Sequence, residues 1–292
     1  MEMAIRQALN KAASFLKKKG VASPRLEAEL LLAFLLKRDR TYFYAHGEEK
    51  MGAEEEAAYQ KILERRAKGA PLAYITGKKE FMGLLFSVNE KVLIPRPETE
   101  HLVEAVLAWS RRVFEQRGKK ETLHILDLGA GCGNISVSLA YFLPYARVTG
   151  VDLSKEAVLL AEKNARLLGV SDRVEFLCGN YWEPFSSGSF RFHVIVSNPP
   201  YIPRKELQFL PREVQNEPLL ALDGGTDGLD AYRSIFKGIR QHIKSPWLVA
   251  LETGKDQSRE VIKLGAAAIV FKRAEIIKDY AGIDRVVIFT GD

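Results

Sequence analysis

The chain has 292 residues, 47% hydrophobic, 27% charged and 10% aromatic, and its 43 lysines and arginines against 37 aspartates and glutamates leave a net charge of +6. These proportions suit a soluble globular protein and exclude collagen, a low-complexity tail and a disulfide-dense miniprotein. Two cysteines, Cys132 and Cys178, cannot build a disulfide framework, so a reducing compartment is expected.

Residues 1–69 read as helices only. Ile5, Leu9, Ala12, Ala13 and Leu16 recur at helical spacing, and Lys17, Lys18, Lys19 and Gly20 close that helix with positive charge and a glycine. Ser23 and Pro24 open a second helix, Ser as cap and Pro at the first helical position, running to about Lys37. A third starts near Ala53, with Glu54, Glu55 and Glu56 at its positive dipole end, and stops at Gly69. No chemistry is visible on this bundle, which suits the binding of a partner. The apolar run 26–36 is too short to span a bilayer, and residues 1–11 mix charges unlike a signal peptide, so a cytoplasmic location is expected. The first 100 residues hold 18 basic and 14 acidic side chains and the remainder 25 and 23. So mild an excess reads as a solvated surface rather than a nucleic-acid face.

Gly69, Ala70 and Pro71 break the helical run, and the β-formers of 81–88 around Gly83 predict a short hairpin joining two domains. The two prolines of Ile94-Pro95-Arg96-Pro97 force extended geometry, after which Glu98 to about Gln116 returns to helix. The expected organisation is a helical recognition domain over 1–70, a linker with a hairpin over 71–97 and a larger domain over 98–292. In the larger domain, strands are predicted at 123–128, 147–152, 174–178, 192–197, 248–252, 268–271 and 286–290, with helices between them, one over 154–168. This alternation means a doubly wound, mainly parallel α/β sheet, whose ligands bind beyond the carboxyl ends of the strands.

The segments after those strands carry the chemistry. Asp127-Leu128 leads into Gly129, Ala130, Gly131, Cys132 and Gly133, a glycine turn that brings backbone close to a ligand. It is neither G-x-G-x-x-G, since Asn134 stands at the last position, nor a phosphate-binding P-loop. Asp152, closing the next strand, can accept both hydroxyls of a ribose, while Ser154 is the better cap for the following helix. Asn180, Tyr181 and Trp182 offer a polar edge and aromatic faces for an adenine, although Trp182 serves equally well as core. The most specific signal is Asn198, Pro199, Pro200 and Tyr201. Two prolines stiffen this loop and remove two donors, leaving backbone carbonyls and the Asn198 carbonyl as acceptors beside a flat Tyr201 ring. Such a pocket fits a planar NH2 group. The five histidines show no metal-ligand spacing, and no C-x-x-C pair exists.

Together the glycine turn and the N-P-P-Y loop resemble class I S-adenosylmethionine-dependent methyltransferases that act on amide or exocyclic nitrogens. Three further stretches resemble the HemK/PrmC-type release factor glutamine methyltransferases: Leu93-Ile94-Pro95-Arg96-Pro97-Glu98-Thr99-Glu100; Pro71-Leu72-Ala73-Tyr74-Ile75-Thr76-Gly77 with the following Glu80-Phe81 and Gly83-Leu84; and Ala221-Leu222-Asp223-Gly224-Gly225-Thr226-Asp227-Gly228-Leu229. The resemblance covers nearly the whole chain. It implies a seven-stranded Rossmann-like methyltransferase sheet with S-adenosyl-L-methionine as cofactor. It also implies a target, the Gly-Gly-Gln glutamine of class 1 peptide chain release factors, methylated at N5 by a monomer without direct contact to nucleic acid or membrane. By match, Gly129 to Gly133 hold the methionine part, Asp152 the ribose, Asn180 and Tyr181 the adenine, and Asn198 to Tyr201 the target amide. Two residues depart from the family's pattern, His193 and Asn180, each where an acid is usual.

The rival readings are weaker. An adenine-N6 nucleic-acid methyltransferase needs base flipping and a basic, aromatic groove, and no target-recognition domain is apparent. A non-catalytic scaffold does not need the intact turn, Asp152 and N-P-P-Y. A methyltransferase for a ribosomal-protein glutamine is disfavoured by the Pro-Glu-Thr-Glu linker.

Overall fold

The computed structural model describes residues 3–115, 121–185 and 190–292. They form two compact units: the described residues up to Lys78 together with Pro211–Asn216, and those of 79–210 together with 217–292.

The first unit is helical. α1 (Ile5–Lys18) buries Ile5, Ala8, Leu9, Ala12 and Leu16, positions three or four apart that share one helix face. Ala13, expected on that face, is only half-buried, and Ala8 takes its place. Gly20, at φ +80°, donates to the Lys17 carbonyl just beyond the helix. α2 (Pro24–Leu36) begins on its proline; Ser23 occupies the cap position, but its side chain makes no cap bond. The start therefore rests on proline's fixed φ rather than on the expected hydroxyl. α3 (Arg40–Ala45) was not foreseen, being too short to show a period. In α4 (Ala53–Ala67) the Glu55 carboxylate accepts the Gly52 N–H at 3.0 Å, so the acidic first turn caps its own helix. α5 (Leu72–Thr76) follows.

Arg66 of α4 is 3% exposed. Its guanidinium pairs with Glu27 on α2 and with Glu213 on a short helix, Arg212–Gln215. Asn216 donates to the Gly69 carbonyl at 3.2 Å. A charge and an amide therefore tie 211–216 to helices far upstream in the chain.

The second unit opens with a hairpin, β1 (Lys78–Phe81) and β2 (Leu84–Ser87), three residues longer at its start than predicted. Met82 and Gly83 are both at positive φ, 54° and 71°, the geometry that matches the twist of a two-residue hairpin. A 3₁₀ turn, Pro97–Thr99, leads into α6 (Glu100–Ser110), and a π turn, Arg111–Glu115, follows. Gln116, the expected end of that helix, lies outside the described residues.

The strands β3 (Leu123–Leu128), β4 (Ala146–Asp152), β5 (Val174–Cys178), β6 (Phe192–Ser197), β7 (Ile243–Glu252), β8 (Arg273–Lys278) and β9 (Asp284–Gly291) form one sheet in the order β5-β4-β3-β6-β7-β9-β8. Pairing is parallel from β5 across to β7, and β9 runs antiparallel to both β7 and β8. With α6, α7 (Asn134–Phe142) and α8 (Lys155–Leu167) packed over one core and α9 (Asp230–His242) and α10 (Ser258–Ala268) over the other, this is the doubly wound seven-stranded sheet expected. Along β3, Leu123 and Ile125 face the first core, and Leu126 and Leu128 the second.

Two strand assignments are corrected. Residues 268–271 are not a strand: α10 runs to Ala268, and the edge strand begins at Arg273. Its side chains are half-buried or exposed and none is buried, so it lacks the apolar run that marks the central strands. β7 begins at Ile243, not Leu248, because Pro246 falls in a register irregularity opposite β6, where its missing N–H costs no ladder bond. Among the described residues no helix is long and apolar enough to cross a membrane.

Arg66→Ala leaves the Glu27 and Glu213 carboxylates without their shared cation and is expected to cost about 3 kcal/mol. The exposed Arg6, paired with Glu48 at 2.9 Å, should tolerate alanine almost unchanged. Denaturant midpoints of the two variants, measured side by side, check the contrast.

Candidate functional site

A cavity of about 300 Å³ opens in the second unit at the carboxyl ends of β3 to β6, lined in part by Gly129, Gly131, Asp152, Asn180, Tyr181, Asn198 and Pro200. Gly129, Gly131 and Gly133 all have positive φ, at 81°, 56° and 81°. Their roles differ. A Cβ at Gly129 or Gly131 meets nothing within 4 Å, so bare backbone forms the cavity wall there. A Cβ at Gly133 would lie 3.0 Å from both Ala161 Cβ and Phe176 Cζ; this glycine permits the close approach of α8 and β5. Ala130 and Cys132 are buried behind the wall. Burial pushes the Cys132 thiol up to about 12, which leaves it un-ionised and unreactive.

Asp127 anchors the turn from beneath. Its Oδ2 accepts the Ser136 N–H at 3.1 Å and the Ser136 hydroxyl at 2.6 Å, tying β3 to α7. Its Oδ1 is buried without a hydrogen-bond partner among the described residues, and burial raises the carboxyl to about 7. Asn164 of α8 adds a second anchor, donating to the Cys132 carbonyl at 2.9 Å and the Ser87 carbonyl at 3.0 Å.

Asp152 is aimed by two backbone donors, Gly131 N–H at 2.7 Å and Ser154 N–H at 2.8 Å, one on each carboxylate oxygen. Burial raises its pKa, and those two donors oppose the rise. Ser154 caps α8 as predicted, accepting the Ala157 N–H at 3.2 Å. Asn180 and Tyr181 line the cavity, and Tyr181 holds φ +45°, a conformation rare for a tyrosine. The alternatives for Trp182 resolve towards core: its Nε1 donates to the carbonyls of Ser234 and Ile235 at 3.0 and 3.1 Å, and its ring stacks on His242 at 4.8 Å.

In the loop after β6, Asn198 and Pro200 reach the cavity, Pro199 is buried, and Tyr201 packs away from it. The Tyr201 ring lies against Gly254, and Gln257 clamps the loop by accepting the Gly254 N–H at 3.0 Å and donating to the Tyr201 carbonyl at 2.9 Å. The segment 221–229 is stitched alongside: Ile202 donates to the Leu222 carbonyl at 3.1 Å, and Gly224 donates to the Ile202 carbonyl at 2.9 Å. Asn198 itself donates Nδ2 to Thr99 Oγ1 at 3.1 Å, which commits its NH2 and leaves the carbonyl oxygen as its acceptor end. Glu252, at the end of β7, is buried near these groups. Burial pushes it up to about 7, opposed by the Thr99 hydroxyl, Arg285 and the Tyr201 hydroxyl.

Thr99, Glu252 and Asp127 were not singled out as site residues, nor were the linings Val92, Leu93, Pro218, Leu220 and Ser234. Asp127 could have been found from its place directly before the glycine turn; the others carry no local signal. His193 stands at the opposite end of β6, fully buried, with Nδ1 accepting the His124 N–H at 3.0 Å, and it is part of the packing there.

The folded Asp127 carboxyl keeps its proton up to about pH 7, whereas an exposed aspartate loses it near pH 4. Its contribution to stability is thus fully present below about pH 4 and lost as pH rises through 7. Relative to Asp127→Asn, the natural protein should be more favoured at pH 5 than at pH 8, losing on the order of 3 kcal/mol of that advantage between the two. Denaturant titrations of both proteins at the two pH values measure the difference.

Comparison with known proteins adds an independent line. Residues 7–77 match the model of the PrmC N-terminal domain, and residues 110–212 that of the methyltransferase small domain. The release factor glutamine methyltransferase of Moorella thermoacetica is 43% identical over 97% of both chains. That of Geobacter sulfurreducens is 41% identical over 97% of this chain and 95% of its own. Among solved structures, an S-adenosylmethionine-dependent methyltransferase from Agrobacterium tumefaciens shares the fold, with a TM-score of 0.51 at 14% identity, covering 74% of this chain and 70% of that one. The chain belongs to the release factor glutamine methyltransferase family.

Proposed function

We propose that this protein transfers a methyl group from S-adenosylmethionine to the side-chain amide nitrogen of the Gly-Gly-Gln glutamine in peptide chain release factors. The observation that carries the reading is the state of Asn198: it lines one cavity with Gly129, Gly131 and Asp152, and its NH2 is engaged by Thr99, which leaves the carbonyl oxygen as its acceptor end. The names of the relatives in Moorella and Geobacter agree with it.

The residues present fit the cofactor. Gly129 and Gly131 offer a cradle that any side chain would fill, suited to the methionine part. Asp152, fixed by two backbone donors, keeps one lone pair on each oxygen for a ribose hydroxyl. Asn180 and Tyr181 border the adenine end. When bound, S-adenosylmethionine supplies a methyl carbon already activated by its sulfonium.

The protein's task is then alignment and electrostatics. An amide nitrogen is a weak nucleophile because its lone pair is delocalised into the carbonyl. Asn198 Oδ1, accepting one of its N–H bonds, returns electron density to nitrogen and stabilises the positive charge that develops there. Pro199 and Pro200 have no N–H and a fixed φ, which removes two donors from this loop and stiffens it. The helical residues 1–70 provide the surface that recognises the protein partner.

Incubation with labelled S-adenosylmethionine should label a release factor and leave its Gly-Gly-Gln→Gly-Gly-Ala variant unlabelled; equal labelling of both overturns the reading. Asn198→Ala should lower kcat about 100- to 1,000-fold while calorimetry finds cofactor affinity within threefold. Parallel losses in both count against the role given to Asn198.

A further inference from the structure

Thr99 is placed where a threonine ordinarily caps a helix. It stands at the N-cap position of α6, yet its side chain makes no cap bond. The hydroxyl is 1% exposed and turned to a residue 99 positions away: Oγ1 accepts Nδ2 of Asn198 at 3.1 Å. Having accepted that bond, the hydroxyl still has a proton to give. Its neighbour on the other side is Glu252, 1% exposed at the end of β7, whose carboxyl the Thr99 and Tyr201 hydroxyls stabilise in its charged form. Glu252 Oε2 has no hydrogen-bond partner among the described residues, so this buried carboxyl has an acceptor to offer the Thr99 proton. With the hydroxyl proton directed towards Glu252, the Thr99 oxygen is left to accept, and it accepts from Asn198.

This order matters because an asparagine amide is nearly symmetric in shape and opposite in chemistry at its two ends. Rotated by half a turn, Asn198 would present NH2 to the cavity. A donor would then face the N–H bonds of the target, and the acceptor would be lost. Side-chain torsions of this kind are broad and two-fold, so packing alone discriminates poorly between the two states. A Thr99 hydroxyl whose proton is turned towards Glu252 discriminates, because it can then only accept, and only the NH2 end can donate to it.

We propose that Thr99, backed by Glu252, is a positioning residue for methyl transfer, fixing which end of the Asn198 amide faces the reacting nitrogen. This rests on the reading of Asn198 given above. It also gives the Pro97-Glu98-Thr99-Glu100 segment a part in turnover beyond joining two parts of the chain.

Thr99→Val keeps the shape and removes the hydroxyl; Thr99→Ser keeps the hydroxyl. We expect Thr99→Val to lower kcat at least ~10-fold, with the KM for release factor and the calorimetric cofactor Kd within threefold, and Thr99→Ser to restore most of kcat. In the Asn198→Ala background, Thr99→Val should have no further effect, because the amide it orients is gone. Thr99→Ala serves as a second hydroxyl-free variant should valine disturb folding, with the same loss expected. Full activity in Thr99→Val or Thr99→Ala beside an inactive Asn198→Ala overturns the positioning role and leaves the site intact. Equal losses in the valine and serine variants, or an undiminished effect of Thr99→Val in the Asn198→Ala background, also overturn it. Full activity in Asn198→Ala instead overturns the underlying reading of the site.

Discussion

The cavity exists because the sheet reverses its order at β3. From this central strand the chain steps outward to β4 and β5, then returns to lay β6 on the other side. Crossovers between parallel strands are right-handed, so α7 and α8 cover one face and α9 the other. The connections leaving β3 and β6 therefore diverge, and a crevice opens at their carboxyl ends. Gly131, Asp152, Tyr181 and Asn198 stand at the carboxyl ends of four different strands and meet there.

Much of this was legible because central parallel strands are buried on both faces and read as continuous apolar runs. β3, β5 and β6 have their expected bounds, and β4 starts one residue earlier. The edge strand β8 escaped because half its side chains face solvent, and β7 was shortened in the reading by a proline that a register irregularity accommodates. In the site, legible residues were those whose chemistry is concentrated within a few positions: the glycines, Asp152 and the Asn198 loop. Thr99 was quoted only as part of a motif. Its meaning depends on a partner 99 positions away, and no local pattern encodes that distance. The packing of Trp182 likewise depends on tertiary contacts, the indole finding its carbonyl partners on α9.

Two buried carboxyl groups stand just behind the cavity wall. Asp127 is the penultimate residue of β3 and Glu252 closes β7, and each has one oxygen lacking a hydrogen-bond partner among the described residues. Such groups cost stability that apolar residues would supply. Both earn retention through what they orient: Asp127 holds the glycine turn against α7, and Glu252 lies beside the hydroxyls of Thr99 and Tyr201.

The route of the chain between its two units has a consequence for modularity. It leaves the helical unit after Lys78, re-enters it at Pro211 and leaves again after Asn216. No single cut of the polypeptide separates the parts. A fragment ending at Lys78 would retain Glu27 but lack Glu213, leaving Arg66 with half of its counter-charge. Exchange of this unit between related proteins would have to carry both pieces of sequence at once, so the two must diverge together rather than as independent modules.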